Sequence, residues 1–120
     1  MVEPVFDKAD VTFSGAAPQI YAHRSAGSHK RVFVHFCGRC GAHLYLAFER
    51  FPDVIGVCGG TFDDPNWFDR SPARCRHIFT QHAQKGVVLP AGAYVFEAHA
   101  VAADGTSNTP RVYGEPMVVA

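Results

Sequence analysis

Two runs of alternating apolar residues, joined by a short connection of cysteine and glycine, constrain this chain more than any other feature. Val32, Val34 and Phe36 alternate on one side of Cys37-Gly38-Arg39-Cys40-Gly41, and Leu44, Leu46 and Phe48 alternate on the other. A period of two sends successive side chains to opposite faces of an extended backbone, so each run reads as a strand with one apolar face. A connection this short joins strands only as an antiparallel pair. Strand 31–36 is therefore predicted to pair with strand 42–48, with both cysteines at the hairpin tip.

The rest of the chain extends the same reading. Val11 and Phe13 alternate, and short apolar runs follow at Val54 to Cys58, His77 to Thr80 and Ala93 to His99. Eleven glycines and eight prolines punctuate these runs, as expected of a mainly β fold with short connections. Only Thr80 to Lys85 suits a helical turn or two, and Asp104 to Ala120 reads as irregular surface chain. With 120 residues, 48% apolar and 18% charged, residues 1–120 are expected to form a single domain.

Eleven basic residues balance eleven acidic ones, so the uniform positive field that drives nucleic-acid binding is absent and no nucleic-acid partner is expected. Locally the balance fails. Residues 11–48 hold no carboxylate but carry Arg24, Lys30, Arg31, Arg39 and four histidines, whereas residues 49–69 carry five acids against Arg50. Two readings stand: salt bridges across a sheet, or a basic face that binds an anion. The start, MVEPVFDKAD, has no basic region followed by an apolar one, and the most apolar stretch, 86–103, is broken by Pro90, Glu97 and His99. Neither a signal peptide nor a membrane partner is expected, and the four cysteines then read as thiols or metal ligands in the reducing cytoplasm.

The C-x2-C turn carries the sharpest chemistry. It brings two sulfurs to one point, and the adjacent glycines let the backbone aim N–H groups at the thiolates, so Cys37 and Cys40 are the candidate metal ligands. Zinc takes four ligands, and no second cysteine pair is present. Cys58 and Cys75 stand alone and read as small buried hydrophobes. His35 and His43 flank the turn, either as ligands or as hairpin residues that bond locally or face solvent. A two-fold homodimer could instead join two turns into a site of four thiolates. A redox C-x-x-C is a further reading, weakened because such pairs usually sit at a helix N-terminus. Asp63 and Asp64 read as turn formers before Pro65 more readily than as an acid and base pair. His77 reads as a proton-transfer group or a backbone anchor, and Trp67, Phe62 and Phe68 as core or a hydrophobic lid.

Three ordered segments carry a resemblance: Arg31-Val32-Phe33-Val34-His35-Phe36-Cys37-Gly38-Arg39-Cys40-Gly41-Ala42-His43-Leu44-Tyr45, then Gly59-Gly60-Thr61-Phe62-Asp63-Asp64-Pro65, then His77-Ile78-Phe79. Over about residues 11–85 the chain resembles the glutathione-dependent formaldehyde-activating enzyme family, of the centromere protein V superfamily. The resemblance implies a zinc-containing β-tent fold and carbon-sulfur lyase chemistry, in which formaldehyde joins the thiol of glutathione as S-hydroxymethylglutathione. It matches Cys37 and Cys40 to the family's structural zinc pair. The family's G-x-C-H-C-G and C-x-C-x-x-C segments, the latter holding the catalytic zinc, have no counterpart, because residues 1–36 contain no cysteine. The chain is thus expected to correspond to the C-terminal two thirds of such a domain. Two functions follow: a family member of the lyase class acting on glutathione adducts, shortened or inactive, or a non-catalytic zinc- or thiol-binding module. A small thiol such as glutathione is the implied partner, its carboxylates meeting Arg24, Lys30, Arg31 or Arg39.

Overall fold

The two alternating runs are the centre of a five-stranded antiparallel sheet. A computed structural model describes residues 1–120 and divides into two compact units, Met1–Phe68 and Asp69–Ala120. The first unit holds β1 (Val5–Asp7), β2 (Gln19–Arg24), β3 (Arg31–Phe36), β4 (His43–Phe48) and β5 (Val54–Val57), in the order β1-β5-β4-β3-β2. β3 pairs with β4 as the alternation requires: Val32 lies opposite Phe48 and Val34 opposite Leu46. The other face of the pair brings Phe33 opposite Ala47 and His35 opposite Tyr45, whose rings stack at 4.1 Å.

The ladder skips one residue before the tip. His35 faces Tyr45 but Phe36 faces His43, which leaves Leu44 as the extra residue of a β-bulge. Its carbonyl is not wasted, since it accepts the Cys58 N–H at 2.9 Å, just beyond the end of β5. β5 is the best-covered strand of the unit, with Ile55 only 2% exposed. Gly56 sits between Ile55 and Val57 because the Glu3 carboxyl lies where its side chain would be.

Two features of this unit depart from the expectations. Val11 and Phe13 lie outside any strand, following a 3-10 turn at Lys8–Asp10, and Phe13 instead sets its ring, tilted, against Tyr45 with centroids 4.6 Å apart. A ring contact thus satisfies the apolar demand that the alternation had assigned to a ladder. β2 carries no strong alternation and all six of its residues are exposed, yet it pairs with β3 along its whole length. Its strand state comes from backbone hydrogen bonding to a neighbour, which side-chain pattern does not report.

The second unit is mostly loops around a small core of Leu89, Ala93, Val95, Phe96 and Ala100. β6 (Arg76–His77) runs parallel to β8 (Tyr94–Val95), and β7 (Val88–Leu89) antiparallel to β9 (Met117–Val118). The runs expected as strands at His77–Thr80 and Ala93–His99 are therefore shorter than predicted. Phe79 adopts a left-handed φ of 58°, which ends the extended chain and leads into a 3-10 turn at Thr80–His82. The tail is irregular as expected, but Arg111 exchanges both backbone bonds with Val95, at 2.8 and 2.9 Å. No helix is long and apolar enough to cross a membrane.

At the open end of the central hairpin, the Glu49 carboxylate accepts the backbone N–H of Arg31 at 2.8 Å and its Nε at 3.2 Å. These bonds, the backbone one first, hold the Glu49 carboxyl below its ordinary value. A lowered carboxyl stabilises the fold above the unfolded-state pKa and loses that contribution as pH falls through the folded one. Glu49→Gln should therefore be less stable than the parent at pH 7, with the difference shrinking below the ordinary glutamate range. Urea melts at pH 7 and at pH 3 check this; a gap that widens in acid would contradict it.

Candidate functional site

The hairpin tip is an extension of the ladder. Cys37 donates its N–H to the Ala42 carbonyl at 2.9 Å, adding one more rung beyond β3. Gly41 then donates its N–H to the Cys37 carbonyl at 2.8 Å, closing residues 37–41 into a single α-type turn. Closure needs a left-handed residue at position 41, and Gly41 has φ of 77°. Nothing lies within 4 Å of where its Cβ would be, so conformation alone selects glycine there.

This turn points its donors inward. The Cys37 sulfur accepts the backbone N–H of Cys40, then that of Arg39, and then the thiol of Cys40, and these bonds hold its pKa below the ordinary thiol value. Cys37 is half-buried and Cys40 is exposed. The tip thus holds a half-buried thiol with backbone N–H groups beside it and an exposed second thiol.

Its neighbours do not complete a metal site. The His35 ring is held by a 3.0 Å bond between Nδ1 and the Phe33 carbonyl and by its stack on Tyr45, and His43 is exposed. No group of three or more His, Cys, Asp or Glu side chains converges in a way that could hold a metal ion. Soft thiolates suit zinc, but a closed zinc site takes four donors and this turn supplies two. The residues of one chain therefore do not fit a closed zinc site.

The remaining candidates have structural partners. Cys58 is 6% exposed, and burial first, then the Glu3 carboxylate, push its thiol upward. Glu3 was not marked in the sequence; burial raises its own carboxyl, and the only trace of its position was a glycine inside an apolar strand. Cys75 is half-buried in the second unit, where its N–H closes the turn on the Pro72 carbonyl at 3.2 Å. Asp64 makes an Asx turn, accepting the Asn66 N–H at 2.9 Å, and Thr61 donates its hydroxyl to the Cys58 carbonyl at 2.7 Å. The His77 main-chain carbonyl accepts the Phe96 N–H at 2.8 Å, a bond that does not involve its ring. Trp67 stacks on Phe62 with ring centroids 5.3 Å apart while staying 59% exposed.

Of the basic residues, Arg24 donates to the His29 carbonyl at 2.7 Å and Arg31 pairs with Glu49, so both serve the hairpins that carry them. Lys30 and Arg39 are exposed, Arg39 within the turn itself.

The fold and tip define a mainly β protein with an antiparallel sheet, a dithiol hairpin and, downstream, a Thr61-to-Pro65 acidic turn. The family model for the glutathione-dependent formaldehyde-activating enzyme matches residues 1–82, and the chain belongs to that family. All three segments singled out by motif fall inside the match. No curated protein and no solved structure matches the chain.

The contrast between the thiols is measurable. In native protein at pH 7, iodoacetamide should modify Cys37 and Cys40 about tenfold faster than Cys58, because the Cys37 thiol is lowered, Cys40 is exposed, and Cys58 is both buried and raised. Peptide mapping over time reads the rates, and urea, which removes both the turn and the burial of Cys58, should abolish the difference. Equal rates in the native state would contradict the site as described.

Proposed function

We propose that this chain retains the thiol-handling role of its carbon-sulfur lyase family and takes a small thiol such as glutathione, without itself catalysing formation of the formaldehyde adduct. The observation that supports this reading is the donor set. A catalytic zinc is held by three protein ligands with a fourth position open, and no such trio converges in the chain. Thiol addition to formaldehyde already proceeds in water, so a catalyst must add a positioned Lewis acid or base to gain rate. Binding asks for less. Lys30 and Arg39, exposed on the hairpin loops, can meet a carboxylate by charge-assisted bonds.

Exchange NMR of glutathione and formaldehyde at equilibrium should show no acceleration when protein is added. A rate that scales with protein and vanishes in the Cys58→Ala, Cys75→Ala double variant would overturn the proposal. Binding is read separately by chemical-shift changes on glutathione. Lys30→Ala combined with Arg39→Ala should weaken it roughly two- to fivefold, as expected of exposed charge pairs.

A second reading concerns zinc, favoured by the inward-facing N–H groups of the turn. Two chains related by a two-fold axis would supply Cys37 and Cys40 twice, a structural site of four thiolates. Cys37→Ser should then lower zinc content and dimer fraction together. Elemental analysis and sedimentation check this, and an unchanged result in both would count against it.

A further inference from the structure

The second unit holds a cleft that lies outside the residues 1–82 matched to the family, and its walls carry one charge of each sign. We infer that this cleft binds a small zwitterion of the α-amino acid class, with the ligand's carboxylate on Arg111 and its ammonium on Glu97. The inference goes beyond the proposed handling of a thiol and does not rest on it, since Lys30, Cys37, Arg39 and Cys40 all belong to the first unit.

The cleft is a gap in a ladder. Val95 and Arg111 exchange both backbone bonds, at 2.9 and 2.8 Å, and the Asn108 N–H reaches the Ala100 carbonyl at 2.9 Å, so segments 95–100 and 108–111 are pinned at both ends. Between the pins Pro110 has no N–H to donate, and the carbonyls of Phe96, Glu97 and Ala98 accept instead from Thr80, Gln81 and Phe79. The two segments therefore part between fixed ends and leave a volume of about 350 Å³, a size suited to a small molecule.

The walls are held in place without a ligand. The His99 ring is fixed through Nδ1, which accepts the Val101 N–H at 3.0 Å, and Asn108 donates its side-chain amide to the His99 carbonyl at 2.8 Å. Val95 and Phe96, both buried, give the cleft an apolar floor.

Charge selects the ligand. Arg111 Nη2 meets Glu97 Oε1 at 2.8 Å, and nothing else in the chain pairs with Glu97 Oε2 or with the remaining guanidinium N–H groups. A lone anion would have to draw Arg111 away from Glu97, and a lone cation would have to draw Glu97 away from Arg111. Either ligand leaves one charge of the pair without its partner. A ligand that carries both charges on one carbon uses the spare oxygen and the spare N–H groups and keeps the pair. Its side chain then lies on Val95 and Phe96, where burial of apolar surface favours an aliphatic amino acid. The two charged side chains are 68% and 64% exposed, so water competes for each contact and each contributes only a few-fold in affinity.

The probe is L-leucine, which has no thiol, so its binding and that of glutathione through Lys30 and Arg39 can fail separately. Isocaproate is leucine without the ammonium, and isoamylamine is leucine without the carboxylate. In amide NMR spectra of the full chain, leucine at roughly 10 mM should shift Glu97, Ala98, Thr109 and Arg111 selectively, and each analogue should bind about fivefold more weakly. Glu97→Gln and Arg111→Ala should each weaken leucine binding by a similar factor, while the main-chain bonds between Arg111 and Val95 preserve the cleft. Isocaproate or isoamylamine bound as tightly as leucine, leucine bound more tightly by Glu97→Gln, or no selective shift of the cleft amides would each overturn the inference. If a variant loses the dispersed spectrum of the parent, the comparison of the three ligands on the wild type decides.

Discussion

The ladder between Arg31–Phe36 and His43–Phe48 is the interaction on which the first unit depends, because every other strand joins the sheet through it. β2 adds to the free edge of β3, β5 to that of β4, and β1 to β5. Register in this pair is set by the apolar face of Val32, Val34, Leu46 and Phe48, and a slip of one residue would turn that face over. The dithiol turn inherits its geometry from the same register. Cys37 makes the last rung, so its carbonyl is placed to accept Gly41 and its sulfur to meet the two N–H groups. The Leu44 bulge ties the tip region to Cys58 as well, through a carbonyl that the ladder leaves over.

One residue type has two chemistries within this unit, and placement decides between them. Cys37 sits where backbone donors converge, which favours the thiolate. Cys58 sits just beyond the end of β5, where burial and a neighbouring carboxylate favour the thiol. The first environment comes from a five-residue turn, and the second from burial and from Glu3, brought near by the first residues of the chain.

Family membership and local donor chemistry answer different questions. The family match ends at residue 82, and the core of the second unit, from Leu89 to Ala100, lies beyond it. A fold inherited from a family carries its function only where the site residues are kept. In this chain the thiol pair of the hairpin tip lies within the matched residues.

What the sequence by itself determined was the central hairpin, the position of the two cysteines at its tip and the turn at Asp64, each written in period-two alternation or in turn residues that act over a few positions. Those are local signals, so they are legible without a partner in view. Tertiary structure alone decided the exposed strand β2, the fate of Phe13 and the left-handed break at Phe79. It also decided which cysteine is sheltered and which is open, and that neither His35 nor His43 joins them at a common point. The physical reason is that burial, ring stacking and strand pairing are made between residues far apart in the chain, and no short-range pattern records which of them will meet.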